Sequence, residues 1–107
     1  MNPDTLIIAY LHSPKERIWG VLRSQDVSGL WLEGIDLHSF DDWARQVARK
    51  EETGMGLSLV FYPMLRVEKL MVDRSMPGQP CLADSFHSIV GLRVEAYLGL
   101  EEPPAAG

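Results

Sequence analysis

Cysteine is almost absent from this chain: Cys81 stands alone among 107 residues, so no intrachain disulfide can form. Histidine is nearly as scarce. His12, His38 and His87 show neither the close spacing of a helical metal motif nor the patterned cysteines of a zinc site. No apolar run approaches the roughly 20 residues that span a bilayer, because charges or glycines interrupt each one. Positive charge is also in deficit. Fifteen acidic against ten basic side chains give a formal net charge of −5, the opposite of the clustered Lys and Arg that hold a phosphate backbone. No serine sits in a Gly-x-Ser-x-Gly elbow, and no Gly-rich phosphate loop follows a strand. Cys81, beside Pro80, has no local motif to activate it and reads as a passive thiol. These absences predict a chain that is not an enzyme and uses no cofactor. With one thiol and no charged-then-apolar leader, a cytoplasmic location is expected.

What is present is an ordinary folded composition, 46% apolar and 23% charged. The length suits one domain over 1–100. Residues 101–107, with two acids, two prolines and two alanines, read as a disordered tail.

Leu6 to His12 is an apolar run containing Ile7, Ile8 and Tyr10, closed by Ser13-Pro14, and predicts a first strand. From Glu16 to Ser24, Ile18, Gly20 and Leu22 alternate with Trp19, Val21 and Arg23, the period of 2 of a second strand. Gln25-Asp26-Val27-Ser28-Gly29 is a turn, and Leu30, Leu32 and Gly34 against Trp31, Glu33 and Ile35 complete a hairpin. Gly20 and Gly34, inside apolar strands, are what a bent sheet uses where backbones approach closely, and they point to a closed barrel.

The period then changes. Phe40, Trp43, Ala44 and Val47 fall at i, i+3, i+4 and i+7 and predict a helix from Ser39 to Lys50, with a capping box of Ser39 and Asp42. Thr53-Gly54-Met55-Gly56 ends it as a breaker rather than a phosphate cradle. Leu57 to Tyr62 restarts the strand period, and Pro63 should bend or stop the pairing. Leu65 to Asp73 is a fifth strand with an irregularity between Val67 and Leu70, and Met76-Pro77-Gly78-Gln79-Pro80 is a loop. Leu82 to Ile89 reads as a short helix with Phe86 inward. Leu92 to Leu98 alternates like a strand yet also suits a helix, so residues 82–98 either close the barrel or pack outside it.

Three groups of side chains are candidates for function. Asp36, His38 and Asp41, at a strand-to-helix junction, are the weak candidates for a metal, although helix capping and the dipole account for Ser39, Asp41 and Asp42. Leu59, Val60, Phe61, Tyr62, Met64 and Leu65 form an apolar stretch suited to an oligomer interface. Arg66 and Lys69 are the phosphate contacts of an alternative nucleic-acid reading. Arg45, Arg49 and Lys50 are followed at once by Glu51 and Glu52, a solvated face. Of Trp19, Trp31 and Trp43, at least two are expected in the core, and one facing outward would suit contact with a partner.

Taken in order, Trp19-Gly20-Val21-Leu22 leading to Asp26, and Leu65-Arg66-Val67-Glu68-Lys69-Leu70 in the last main strand, resemble the Sm-like small barrel across Leu6 to Asp73. The chain departs from that family's pattern. Ser28-Gly29 and Arg66-Val67 stand where it usually has an Asn and an Arg-Gly pair, both tied to RNA binding, and the helix lies between strands three and four rather than before the first. The resemblance implies a mainly β, five-stranded SH3-like barrel with one helix between strands three and four and a short C-terminal helical or extended segment. It also implies assembly of rings or dimers through strands four and five. The expected partner is therefore a second copy or another protein, with an RNA-binding ring as the alternative and a metal-binding domain around Asp36, His38 and Asp41 as the third reading.

Overall fold

The structure is a computed structural model that describes residues 2–50 and 56–100. A strand from Thr5 to Leu11 (β1) pairs antiparallel with an eleven-residue strand from Glu16 to Asp26 (β2). β2 outlasts its sequence expectation by two residues. The turn to the third strand, Gly29–Asp36 (β3), is only Val27-Ser28, because the Asp26 carboxylate accepts from the Ser28 amide at 2.8 Å and closes the chain early. A fourth strand, Ser58–Pro63 (β4), pairs with β3, and a fifth, Val67–Val72 (β5), pairs with β1. Every pairing is antiparallel, in the order β4-β3-β2-β1-β5.

The sheet is open. The closed barrel expected from Gly20 and Gly34 is not met, because no ladder joins β4 to β5 and the two strands end opposite sides of the sheet. The glycines do mark a close approach: they face each other in the β2–β3 register. A Cβ on Gly20 would lie 2.3 Å from the Glu33 carbonyl oxygen, and one on Gly34 2.4 Å from that of Trp19. The close contact serves to curl the sheet. Ile7, Ala9, Leu11, Ile18, Leu22, Leu30 and Leu32 form one buried cluster on the concave side, with Tyr62 of β4 and Val67 and Leu70 of β5 packed against it, so all five strands contribute.

The convex side is covered by helices. Asp36 accepts from the His38 amide at 2.9 Å and starts a 3-10 turn over Leu37–Ser39, from which a helix runs over Phe40–Ala48 (α1). The capping residue is thus Asp36 rather than Ser39, whose side chain makes no capping bond, because the intervening 3-10 turn moves the first free amides upstream. Leu82–Val90 (α2) has Phe86 fully buried as expected, and Val94–Leu98 (α3) is helical rather than extended. Trp19, Ile35, Phe40, Trp43, Ala44, Phe86 and Val94 make the second buried cluster. Residues 82–98 therefore pack outside the sheet and add no strand to it. Trp19 and Trp43 are core, and Trp31 is exposed.

Helix and sheet are fastened by one carboxylate. Asp73, just past β5, accepts from the Trp19 Nε1–H at 3.0 Å and from the Leu82 and Ala83 amides at 2.9 Å each. It satisfies two free amides at the start of α2 while holding the largest side chain beneath it. The irregularity in β5 is a register skip: Lys69 pairs with Tyr10 and Val67 with Leu11, leaving Glu68 without a cross-strand partner. Residues 64–66 precede it as a 3-10 turn rather than as strand. The expected breaker at 53–55 and the tail at 101–107 lie outside the described residues.

Candidate functional site

β4 is the most exposed strand of the sheet, and five of its six residues are open to solvent. Alternation along β4 sorts the six interface candidates by face. Leu59 and Phe61 point to the convex side, where Phe61 lies opposite Trp31 with ring centroids 5.4 Å apart. Leu59 is 57% exposed, and Trp31 and Phe61 are also open, beyond the reach of the helices. Val60 and Tyr62 point to the concave side. Tyr62 packs on the interior cluster, and its burial, aided by the Glu16 carboxylate and opposed by Arg66, raises the phenol above its ordinary value. Met64 is half-buried at the 3-10 turn, and Leu65 is 88% exposed there. The stretch named from the sequence thus divides into four exposed residues, Leu59, Val60, Phe61 and Leu65, and two half-buried ones, Tyr62 and Met64.

Beside this edge the charges are already engaged. Arg23 of β2 bridges Glu33 of β3 at 2.9 Å and Asp4 at 2.6 Å, across strands on the same face. The convex patch of Trp31, Phe61 and Leu59 is therefore bordered by an ion-pair network rather than by a loose carboxylate.

The metal candidates do not converge. Asp36 caps the 3-10 turn, Asp41 is bonded to Arg45 one helical turn on at 2.8 Å, and His38 projects at the surface. No group of three or more His, Cys, Asp or Glu among the described residues is placed to hold a metal ion. The two phosphate-contact candidates also part. Arg66 donates to Glu16 at 2.6 Å and to the carbonyls of Pro14 at 2.9 Å and His12 at 3.3 Å, so its fork clamps the β1–β2 turn. Lys69 lies on the other side of β5, its ammonium 4.5 Å over the Tyr10 ring.

Sequence reasoning did not single out the group around Cys81. Its sulfur accepts from the Asp84 amide at 3.4 Å at the start of α2, and the Ser75 hydroxyl donates to the Asp84 carboxylate. That bond, with a smaller opposing effect of desolvation, holds the Asp84 carboxyl below its ordinary value. An open groove lined by Asp4, Thr5, Asp73, Ser75, Asp84 and Arg93 runs alongside. The signal available in the sequence was a Cys followed three residues later by Asp, a capping pattern written with sulfur.

Fold and site together define a small, mainly β domain with one open five-stranded antiparallel sheet, helices on one face and an uncharged exposed edge strand. No family model, curated protein or solved structure matches the chain. No helix among the described residues is long and apolar enough to cross a membrane.

Proposed function

We propose that this chain is a non-enzymatic small-barrel module of the cytoplasm that assembles through the open edge of its sheet. One observation carries the reading: β4 ends the sheet with an uncharged run of exposed Leu59, Val60 and Phe61, and no described strand pairs with its outer side. A free, apolar edge is a template for another strand, and proteins that do not use such an edge blunt it with charge, proline or a bulge, of which β4 has only the proline at its end. The barrel part of the reading is supported by the strand order, by the 3-10 turn linking β4 to β5, and by a single interior cluster drawn from all five strands. These features accord with the Sm-like resemblance, in which the edges of neighbouring barrels pair. The nucleic-acid alternative has less support, because Arg66 already donates to Glu16 and to two carbonyls.

Native mass by size-exclusion chromatography with light scattering tests the reading, with the 260 to 280 nm absorbance ratio taken on the same peak. A protein-only multimer is expected. A strict monomer at high concentration that captures no partner protein would sink it, and a multimer carrying nucleic acid would favour the RNA-binding ring.

A further inference from the structure

The two edges of the sheet are not alike. β5 carries Glu68 and Lys69 and skips a residue against β1, and charge and a bulge are the devices by which a sheet edge avoids pairing. β4 has neither. From Leu57 to Leu65 the chain reads Leu-Ser-Leu-Val-Phe-Tyr-Pro-Met-Leu, without a charge.

The register also says which peptide groups are free. The Met64 amide donates to the Ser28 carbonyl at 2.9 Å, and the ladder continues from Gly29 opposite Pro63 to Gly34 opposite Ser58. Antiparallel alternation therefore turns the peptide groups of Tyr62, Val60 and Ser58 toward β3, and those of Phe61 and Leu59 outward. Pro63, which has no N–H, falls at an outward position: it costs the β3 ladder nothing but withholds a donor from the outer edge, so the outward bonds that remain are those of Phe61 and Leu59.

We propose that the occupant of this edge is a second copy of the same chain, paired antiparallel through β4 about a two-fold axis beside Val60. The proposal rests on the assembly reading above and narrows it from a ring to an isologous dimer. With the axis there, Leu59 of each copy faces Phe61 of the other, and these outward peptide groups exchange both hydrogen bonds. Val60 meets its own copy as a non-hydrogen-bonded pair, with Cα atoms about 4.5 Å apart. The result is one ten-stranded sheet. On its convex face Trp31, Phe61 and Leu59 extend into a single apolar strip across the axis. Charge does not bar this choice at the seam: the chain carries a net charge of −5, yet among the described residues the seam sets no carboxylate against another, and Glu33, opposite Leu59 on β3, is held by Arg23.

The test uses cysteine placement in a Cys81→Ser background. A Val60→Cys pair across the axis has the Cα separation a disulfide accepts. Val60→Cys is expected to convert most of the chain to a covalent dimer under mild oxidation, whereas Met71→Cys on β5 does not. The native mass should be twice 12.0 kDa. Phe61→Lys, or Leu59→Lys if that variant folds poorly by near-ultraviolet circular dichroism, should weaken dimerisation at least tenfold. A multimer in which Val60→Cys fails to cross-link overturns the two-fold, and a ladder from Val60→Cys combined with Met71→Cys identifies the ring instead. Either result leaves the assembly reading standing. A monomer at every concentration sinks both.

Discussion

Asp73 shows how much one residue can carry. Its carboxylate accepts three hydrogen bonds, two from the start of α2 and one from a fully buried indole, so its loss leaves both a helix end and a core N–H unpaired. Asp73→Ala is expected to lower stability by about 2–3 kcal/mol, read by urea denaturation, with a change in tryptophan fluorescence. Tyr62 makes a prediction in pH. Its half-buried phenol has a folded-state pKa raised above the ordinary tyrosine value, chiefly by burial. The neutral phenol therefore contributes stability below that value, and the contribution is lost as pH rises through the folded pKa. Tyr62→Phe should flatten the alkaline fall in stability above about pH 10; an unchanged alkaline limb in thermal melts would contradict the assignment. Neither role was visible in the sequence. Asp73 ends a strand pattern and its indole partner lies 54 positions away, while Tyr62 reads as an outward interface residue until the curl of the sheet turns it inward.

At the scale of elements, periodicity located nearly everything. The alternation of Ile18, Gly20 and Leu22 against Trp19 and Val21 is β2, the spacing of Phe40, Trp43, Ala44 and Val47 is α1, and the broken pattern between Val67 and Leu70 is the register skip at Glu68. The misses lie at junctions. Asp26 and Asp36 each bond an amide two residues on, which shortened one turn and moved one cap, and such bonds compete with regular structure on a scale that periodicity does not register. Leu92 to Leu98 suited both periods, and packing of Val94 on the convex core decided for helix. Gly20 and Gly34 offer the sharpest test of an element pair. Because a Cβ on either would meet backbone, Gly20→Ala must push β2 and β3 apart, with an expected cost of about 3 kcal/mol and a lowered melting temperature. A variant as stable as the parent would show that the strands can separate freely.

For the whole molecule, one open sheet has a filled concave side, a helix-covered convex side and two unequal edges. Assembly through β4 would be apolar and would not depend on ion pairs. The mass of the multimer should therefore be unchanged, or increase, between low salt and ~1 M salt, where the screening length is about 3 Å. Light scattering across a salt series measures this, and dissociation at high salt would point instead to a charged interface. The sequence by itself determined the order of the five strands, the helix after the third and the uncharged run over residues 57–65, because periodicity and local polarity act within a few residues. Only the tertiary structure decided that the sheet stays open, that Arg66 clamps the β1–β2 turn, and that the uncharged strand β4 ends the sheet opposite the charged and bulged β5. Each of these depends on which distant strands lie side by side, and pairing over such separations is set by how the sheet packs on its core.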